Sequence, residues 1–265
     1  MDAKLLEKKL LKSEKIKDLL KIKKNYSGDE NCFNFLPAEI KEKFGIVDTS
    51  NVSSHQYDFY ALKLIQKYQK GIILDCGAGK RNDYIHNVVN FEVVNYDSTD
   101  VLGVAEELPF KDESFDAVFS LNVLEHVKDP FRCAREISRV LKKGGELYCV
   151  VPFLSPYHDY PDHYYNMTSS GLKNLFQGNL QIVKQDVISS GLPIFALTWI
   201  LNSWVEGLKD PEVKNKFMEM KVKELISPPT EYLNERFVKD LTLNKNFELG
   251  ATTAIWARKA IKVCF

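Results

Sequence analysis

Short apolar runs alternate with longer amphipathic segments along the middle of the chain. The runs span residues 72–76, 91–96, 115–121 and 146–151, and each is too short for a helix but typical of a buried parallel strand. The segments that follow them carry apolar residues at helical spacing. This alternation predicts parallel βαβ units with right-handed crossovers, and residues 180–189 and 252–259 are predicted as the last two strands.

Helix boundaries are marked by capping residues. The predicted N-caps are Ser53 or Ser54, Asp129 followed by Pro130, and Thr168, and the predicted stops are Gly71 and the pair Gly144 and Gly145. Residues 2–24, rich in Lys and Leu, predict an N-terminal helix with a solvated lysine face. The alternative for this helix is a basic surface for an acidic membrane or a partner.

Some 60 residues of helical character separate the last two predicted strands, which is much longer than an ordinary connection. Within them, residues 192–205 are apolar almost all round and include Trp199 and Trp204. Their length predicts a buried or interface helix rather than a membrane span. Residues 191–250 are therefore expected to form a helical insertion that caps the acceptor site.

Composition excludes several classes of protein. Lys and Arg number 36, and Asp and Glu also number 36, so no overall basic field favours nucleic acid as a partner. The five cysteines include no CxxC pair, which argues against zinc or a disulfide scaffold. The chain opens with no signal peptide and has no apolar run of about 18–20 residues. A cytoplasmic protein without a transmembrane segment is expected.

A glycine-rich turn follows the first predicted strand. The strand leads through Asp75 into Gly77 and Gly79, which allow the backbone to turn tightly and approach a ligand closely. The second predicted strand ends at Asp97, about 20 residues on, where an acid meets ribose hydroxyls. Together these features predict a nucleotide or nucleoside ligand on a doubly wound α/β sheet.

Several motifs stand in the order of one known family. They are LDCGAG at 74–79, Asp97, AEELPF at 105–110, SFDAVFS at 114–120, VLEHVKDP at 123–130 and LKKGGEL at 141–147. Over residues 70–152 the chain resembles class I S-adenosylmethionine-dependent methyltransferases, including the quinone-biosynthesis C-methyltransferases. The resemblance implies a Rossmann-like, seven-stranded, mostly parallel sheet with helices on both faces and a helical insertion before the last strand. It also implies a methyltransferase domain at 53–190 and 251–265, preceded by a helical extension at 1–52.

The resemblance implies S-adenosylmethionine as the cofactor and the following contacts. The methionine end would lie on Asp75, Gly77 and Gly79, the ribose on Asp97 and Ser98, the adenine near Ala105 and Glu106, and the sulfonium beside Leu121 and Asn122. Two positions depart from the family pattern. Arg81 replaces the third glycine, and Val104 stands where an acid usually takes the adenine amine.

The densest ionisable cluster comprises His158, Asp159, Asp162 and His163. It can be a divalent metal site, it can supply a general base, or it can be a hydrogen-bonded structural loop. We favour a base, His158 or His163, and expect no metal, because the loop follows the strand ending at Val151 on the cofactor side. His126 and Glu125, in VLEH, are expected to be structural.

The leading hypothesis is methyl transfer to an oxygen or nitrogen of a small polar metabolite, such as a sugar, because the loop is rich in tyrosine. A lipid or quinone acceptor is favoured instead by the apolar segment 192–205. A third alternative is a non-catalytic subunit with the same fold, which is supported by Val104 at the position of the usual adenine-binding acid. A fourth is a nicotinamide-dependent dehydrogenase, which would require a third glycine that GAGKRN lacks. A homodimer is the expected assembly, without nucleic acid.

Overall fold

The computed structural model describes residues 3–21, 31–47, 49, 52–158 and 162–252. The chain divides into two compact units. The sheet unit comprises Met1–Phe153 and Asp159–Asp186, and the helical unit comprises Leu154–His158 and Val187–Phe265. Within the described ranges, none of the helices is both long and apolar enough to cross a bilayer.

The sheet unit is built from six strands and five helices in its described residues. The strands are β1 (Phe33–Asn34), β2 (Ile73–Cys76), β3 (Val88–Glu92), β4 (Val101–Leu102), β5 (Phe115–Leu121) and β6 (Leu141–Val150). The helices are α1 (Ala3–Leu19), α2 (Ala38–Phe44), α3 (Phe59–Lys67), α4 (Pro130–Val140) and α5 (Ser169–Phe176). All strand pairs are parallel, in the order β1-β4-β3-β2-β5-β6.

The central strand, β2, is the topological switch point of this sheet. From β2 the chain passes to β3 on one side and later to β5 on the other. Alternate β2 residues face opposite layers: Leu74 packs in the core cluster of α1, α4 and α5, while Ile73 packs in that of α3. The predicted doubly wound α/β sheet with helices on both faces is thus confirmed, and ligands of such sheets bind beyond the carboxyl ends of the strands.

The connection from β3 to β4, residues 93–100, contains no helix. Parallel strands usually need a crossover of about a dozen residues or more, which supplies the covering layer. Here α1 contributes to that layer, because Ile16 packs in the same cluster as Val89 and Phe91. The predicted helix is confirmed, but the prediction of a solvated lysine face is wrong for Lys9 and Lys12, which are 4% and 3% exposed.

The described residues contain six strands, so the predicted count of seven is not confirmed. Residues 181–188 have no regular secondary structure, so the predicted strand at 180–189 is absent. Its apolar side chains are not buried, as Val183 is 92% exposed, and without burial a strand gains little from pairing. Of the predicted strand at 252–259, only Thr252 belongs to the described residues. Two short strands, β1 and β4, were not predicted.

The structure tests four of the predicted helix boundaries, three N-caps and one stop. Asp129 caps α4 and Thr168 caps α5, as predicted. The N-cap of α3 is Asp58, whose carboxylate accepts from the Ala61 amide at 2.9 Å, so the prediction of Ser53 or Ser54 is wrong. The predicted stop at Gly144 and Gly145 is also wrong. Helix α4 ends at Val140, because Leu141 already pairs with Phe115 as the start of a bulged β6.

The helical unit has its own apolar core. Its helices are α6 (Pro193–Gly207), α7 (Pro211–Met218), α8 (Val222–Leu225), α9 (Arg236–Lys239) and α10 (Leu243–Leu249). The Trp204 ring stacks on Phe217 at 5.6 Å, and Phe217 packs on Phe237. The predicted apolar helix at 192–205 is confirmed as α6. Its first half is not buried, however, since Ile194 and Phe195 are more than half exposed.

Candidate cofactor and catalytic site

The turn that follows β2 requires glycine at two positions. Gly77 and Gly79 have φ angles of 81° and 63°, which L-residues other than glycine adopt at a cost. A Cβ on Gly77 would lie 2.4 Å from Val123 Cγ2, and one on Gly79 would lie 2.8 Å from the Ser53 carbonyl oxygen. The turn therefore brings bare backbone to the carboxyl end of the central strand, as a phosphate- or nucleoside-binding turn does.

Asp75, at the end of β2, is fully buried and paired. Its Oδ2 accepts hydrogen bonds from Tyr57 Oη at 2.6 Å and from Arg81 Nε at 3.0 Å, and Arg81 Nη2 lies 2.8 Å away. Oδ1 has no hydrogen-bond partner among the described residues. Burial raises the pKa of the Asp75 carboxyl, and the charge of Arg81 opposes that rise. The predicted methionine-end carboxylate is thus an ion pair with one unsatisfied oxygen.

The segment before α3 packs against this turn. The Lys80 amide donates to the Ser53 carbonyl at 2.7 Å, and Ser54 Oγ donates to the Lys80 carbonyl at 3.0 Å. Arg81 Nη1 donates to the His55 carbonyl at 2.6 Å. Burial, followed by the charge of Arg81, lowers the pKa of His55. Arg81, which departs from the family glycine, therefore ties the turn to the segment that precedes α3.

The acid at the end of β3 is Glu92. The predicted strand at 91–96 is wrong in its bounds, since β3 ends at Glu92 and Asp97 lies exposed in the following loop. Glu92 Oε2 accepts from the Gly79 amide at 2.7 Å, and Oε1 accepts from the Val93 amide at 2.8 Å. Burial raises the pKa of Glu92, against these backbone donors. Sequence reasoning missed Glu92 because Asn90 interrupts the apolar run; the signal was VVNFE, an acid at a strand end.

The other predicted cofactor residues occupy the same edge of the sheet or its neighbouring loops. Ser98 is buried, and its Oγ accepts from the Arg81 amide at 2.9 Å. Ala105 and Glu106 are buried in a 3₁₀ turn. Burial raises the pKa of Glu106, and its carboxylate accepts from the backbone of residues 128 and 129. Leu121 ends β5, and Asn122 follows in the left-handed region with φ 54°.

Residues 76–149 match the family model of a methyltransferase domain. This match spans the glycine turn, β3, β4, β5 and nearly all of β6. This part of the chain is therefore a methyltransferase domain. S-adenosylmethionine is the methyl donor of this class of domain, so the turn and the acids around it form the candidate cofactor site.

Relatives of the methyltransferase domain are found in bacteria. The uncharacterized YafE protein of Escherichia coli is 32% identical over 117 residues, covering 42% of this chain and 56% of YafE. The uncharacterized methyltransferase YcgJ of Bacillus subtilis is 32% identical over 110 residues, covering 37% of this chain and 43% of YcgJ. The solved structure of YcgJ aligns with 58% of this chain and 86% of its own, at 18% identity and a TM-score of 0.38. The chain thus spans about half the length of the curated relatives it matches.

The two predicted catalytic histidines belong to different units. In the helical unit, His158 Nδ1 lies 2.9 Å from the Pro156 carbonyl, and its ring is 5.3 Å from Trp199. Since a carbonyl only accepts, Nδ1 carries the proton in the neutral ring and Nε2 is the basic nitrogen. In the sheet unit, His163 Nε2 lies 3.0 Å from Asn166 Oδ1. Asp159 of the predicted cluster lies outside the described residues.

The VLEH segment holds a buried carboxyl group in the methyltransferase domain. Glu125 is 0% exposed, and neither carboxyl oxygen makes a hydrogen bond to a described residue. Its carbonyl accepts from the amides of Tyr164 and Tyr165 at 2.7 and 3.3 Å, and His126 Nδ1 lies 2.7 Å from the Asp162 carbonyl. The segment therefore anchors the loop at 162–165. Burial raises the pKa of Glu125 to about 8.

Replacing Glu125 with Gln is expected to stabilise the fold in a pH-dependent way. The folded protein keeps the Glu125 proton up to about pH 8, whereas the unfolded chain releases it near 4.5. Stability of the wild type therefore falls as pH rises between these values. The gain from Glu125→Gln should grow from near zero at pH 5 to about 2–4 kcal/mol at pH 8. Urea unfolding at both pH values measures it.

The control for this measurement is Glu39→Gln, on the exposed surface of α2. This substitution should leave the free energy of unfolding nearly unchanged at both pH values. A gain from Glu125→Gln that is equal at pH 5 and pH 8 would show that the Glu125 carboxyl titrates alike in the folded and unfolded states.

Proposed function

We propose that the protein transfers a methyl group from S-adenosylmethionine, bound beyond the carboxyl ends of β2, β3 and β5, to a small-molecule acceptor. The observation that carries this proposal is the glycine turn at the switch point of the methyltransferase domain. Two glycines with positive φ, a buried aspartate and a strand-end glutamate meet there. The arrangement suits a ligand with a cationic amino acid end and a ribose.

In this proposal the two ends of the cofactor meet different groups. The turn at Gly77 and Gly79 takes the methionine end, with the unsatisfied Oδ1 of Asp75 available to its ammonium. Glu92 takes the ribose hydroxyls, since it ends the strand next to β2. Adenine lies towards Ala105, and the sulfonium lies beside Leu121 and Asn122. Asp97, the acid predicted from sequence, becomes the alternative to Glu92.

Methyl transfer from a sulfonium requires mainly that the protein align the acceptor with the methyl group. A sulfonium is already a good leaving group, so the acceptor atom must be held in line with the methyl carbon and water must be excluded. A base that removes one proton from the acceptor completes the reaction. His158 is the preferred base, because its hydrogen bond to the Pro156 carbonyl directs the basic lone pair to Nε2.

The proposed acceptor is an oxygen or nitrogen of a small polar metabolite, such as a sugar. Tyrosines and histidines in the loop after β6 support it: Tyr164 and Tyr165 are 38% and 41% exposed, and His158 and His163 are half-buried. Phenol and imidazole groups suit an acceptor that forms hydrogen bonds. The second candidate is a lipid or quinone, which the exposed apolar residues of α6 favour, Ile194 and Phe195 among them.

One experiment separates these acceptors. Purified protein is incubated with S-adenosylmethionine and with either the aqueous or the organic fraction of a metabolite extract, and products are searched for a methyl mass shift. A shifted product in the aqueous fraction supports the polar acceptor, and one confined to the organic fraction supports the lipid or quinone. Binding of S-adenosylhomocysteine without any shifted product favours a non-catalytic subunit.

Glu92→Ala should weaken binding of S-adenosylhomocysteine by about 1.5–3 kcal/mol, the range for hydrogen bonds to a charged group. The carboxylate would otherwise accept from both ribose hydroxyls. Asp97→Ala is the matched control, since Asp97 is an exposed acid in the loop that follows β3 and its loss should change affinity little. Titration calorimetry on both folded variants gives the comparison. The opposite order of effects would return the ribose role to Asp97.

A further inference from the structure

Two lysines of α1 are buried against the loop that joins β3 to β4. Lys9 Nζ donates to the carbonyls of Asp97 and Thr99 at 3.0 and 2.6 Å. Lys12 Nζ donates to Asp100 Oδ2 at 2.9 Å and to the Val88 carbonyl at 2.5 Å. A buried ammonium group is costly unless several acceptors surround it, so these contacts constrain the conformation of the loop.

The partners of Lys12 are themselves fixed from several sides. Asp100 also accepts from the Tyr84 hydroxyl and from the Asn90 amide, and Lys12 Nζ lies 3.6 Å from the centre of the Tyr84 ring. Burial lowers the pKa of Lys12, and its pairing with Asp100 opposes this. An apolar residue would cover the sheet equally well, but it could not hold backbone carbonyls in one arrangement.

The loop held by Lys9 leads directly to the cofactor turn. Ser98 lies between the two residues whose carbonyls Lys9 contacts, and its Oγ accepts from the Arg81 amide at 2.9 Å. Arg81 in turn pairs with Asp75. Hydrogen bonds, joined by short stretches of covalent chain, therefore connect α1 through the loop at Ser98 and through Arg81 to the carboxylate at the end of β2.

The end of α1 is tied to a second segment of the site. The Lys21 amide donates to the Pro109 carbonyl at 2.9 Å, and the Lys111 amide donates to the Leu19 carbonyl at 2.8 Å. Pro109 and Lys111 follow the 3₁₀ turn that contains Ala105. One helix therefore holds both the loop after β3 and the segment after β4, the two segments expected around the nucleoside half of the cofactor.

We propose that α1 positions the cofactor site, with Lys9 and Lys12 as positioning residues that act through Ser98 and Arg81. This inference rests on the proposed function, since it concerns the affinity of the same site. The N-terminal helix thereby sets how tightly S-adenosylmethionine binds, although no residue of α1 has to touch the cofactor.

The test measures S-adenosylhomocysteine binding by calorimetry, at a temperature well below the melting temperature of every variant. Lys9→Met should weaken binding about tenfold, equivalent to ~1.4 kcal/mol. Lys9→Arg, which keeps the charge and the donors, should restore most of the affinity. Lys15→Met, an exposed lysine on the same helix, should bind as the wild type does. The test uses Lys9 because Lys12→Met leaves the buried Asp100 carboxylate without its charge partner and is expected to destabilise the fold.

A double-mutant cycle with Ser98→Ala identifies the route. If Lys9 acts through Ser98, the effects of Lys9→Met and Ser98→Ala on affinity are non-additive. Hydrogen exchange at the Arg81 amide should also rise in Lys9→Met. A Lys9→Met protein with a lower melting temperature and unchanged affinity overturns the inference. Wild-type protein that fails to bind S-adenosylhomocysteine refutes the proposed function and, with it, the positioning role.

Discussion

His158→Ala lowers turnover by about 10²–10⁴, the usual contribution of a general base, while affinity for S-adenosylhomocysteine stays within about twofold of wild type. The variant lacks the imidazole that would take the proton of the acceptor. Initial rates at saturating S-adenosylmethionine, with calorimetry on the same proteins, measure both quantities.

His163→Ala is the comparison for this prediction. His163 contacts Asn166 and packs 5.8 Å from the His126 ring, so its loss should lower the melting temperature more than the turnover. If both variants kept the wild-type turnover per folded molecule, neither histidine would be the base. A loss confined to His163→Ala would transfer the role to that residue.

Arg81→Met reduces the free energy of unfolding by about 3–5 kcal/mol, because it leaves the buried Asp75 carboxylate without its charge partner. Asp75 is 0% exposed, and among the described residues its hydrogen-bond donors are the Arg81 guanidinium and the Tyr57 hydroxyl. The double variant Arg81→Met with Asp75→Asn removes the buried charge and should recover part of the loss. Urea unfolding of all three proteins measures the effect.

The control for this ion pair is Lys142→Met, which breaks a pair with Asp116 at 2.9 Å. Lys142 is 41% exposed there, and such pairs contribute about 1 kcal/mol or less. If Arg81→Met cost no more than Lys142→Met, Asp75 would not depend on Arg81 for its charge, and the departure from the family glycine would need another explanation.

Local signals were sufficient where a single interaction specifies the structure. Asp129 before Pro130, and Thr168, were predicted as N-caps, because capping depends on the amides of the next residues. Gly77 and Gly79 were predicted from the tight turn, and both have positive φ. The strands β2 and β5 were predicted from short apolar runs, and both are buried along nearly their whole length.

The end of β3 shows why strand bounds were harder to predict. Asn90 interrupts the apolar run, yet it is buried, because its Nδ2 donates to the Ser98 carbonyl at 2.8 Å. That acceptor comes from the loop beyond the strand, so no local rule marks Asn90 as a strand residue. The predicted strand was therefore placed too late, so that Asp97 rather than Glu92 was taken as the acid at its end.

The N-terminal helix shows the same limit on a larger scale. Its pattern predicted a helix, but the burial of Lys9 and Lys12 depends on carbonyls that lie some 76–90 residues away in the chain. Similarly, Arg81 and Tyr57 meet Asp75 only when the segment before α3 folds over the glycine turn. The amino-acid pattern determined the class of fold, the turn and the cofactor type. Only tertiary packing decided which acid ends β3 and which cations are buried, because pairing of buried polar groups depends on neighbours that are distant in sequence.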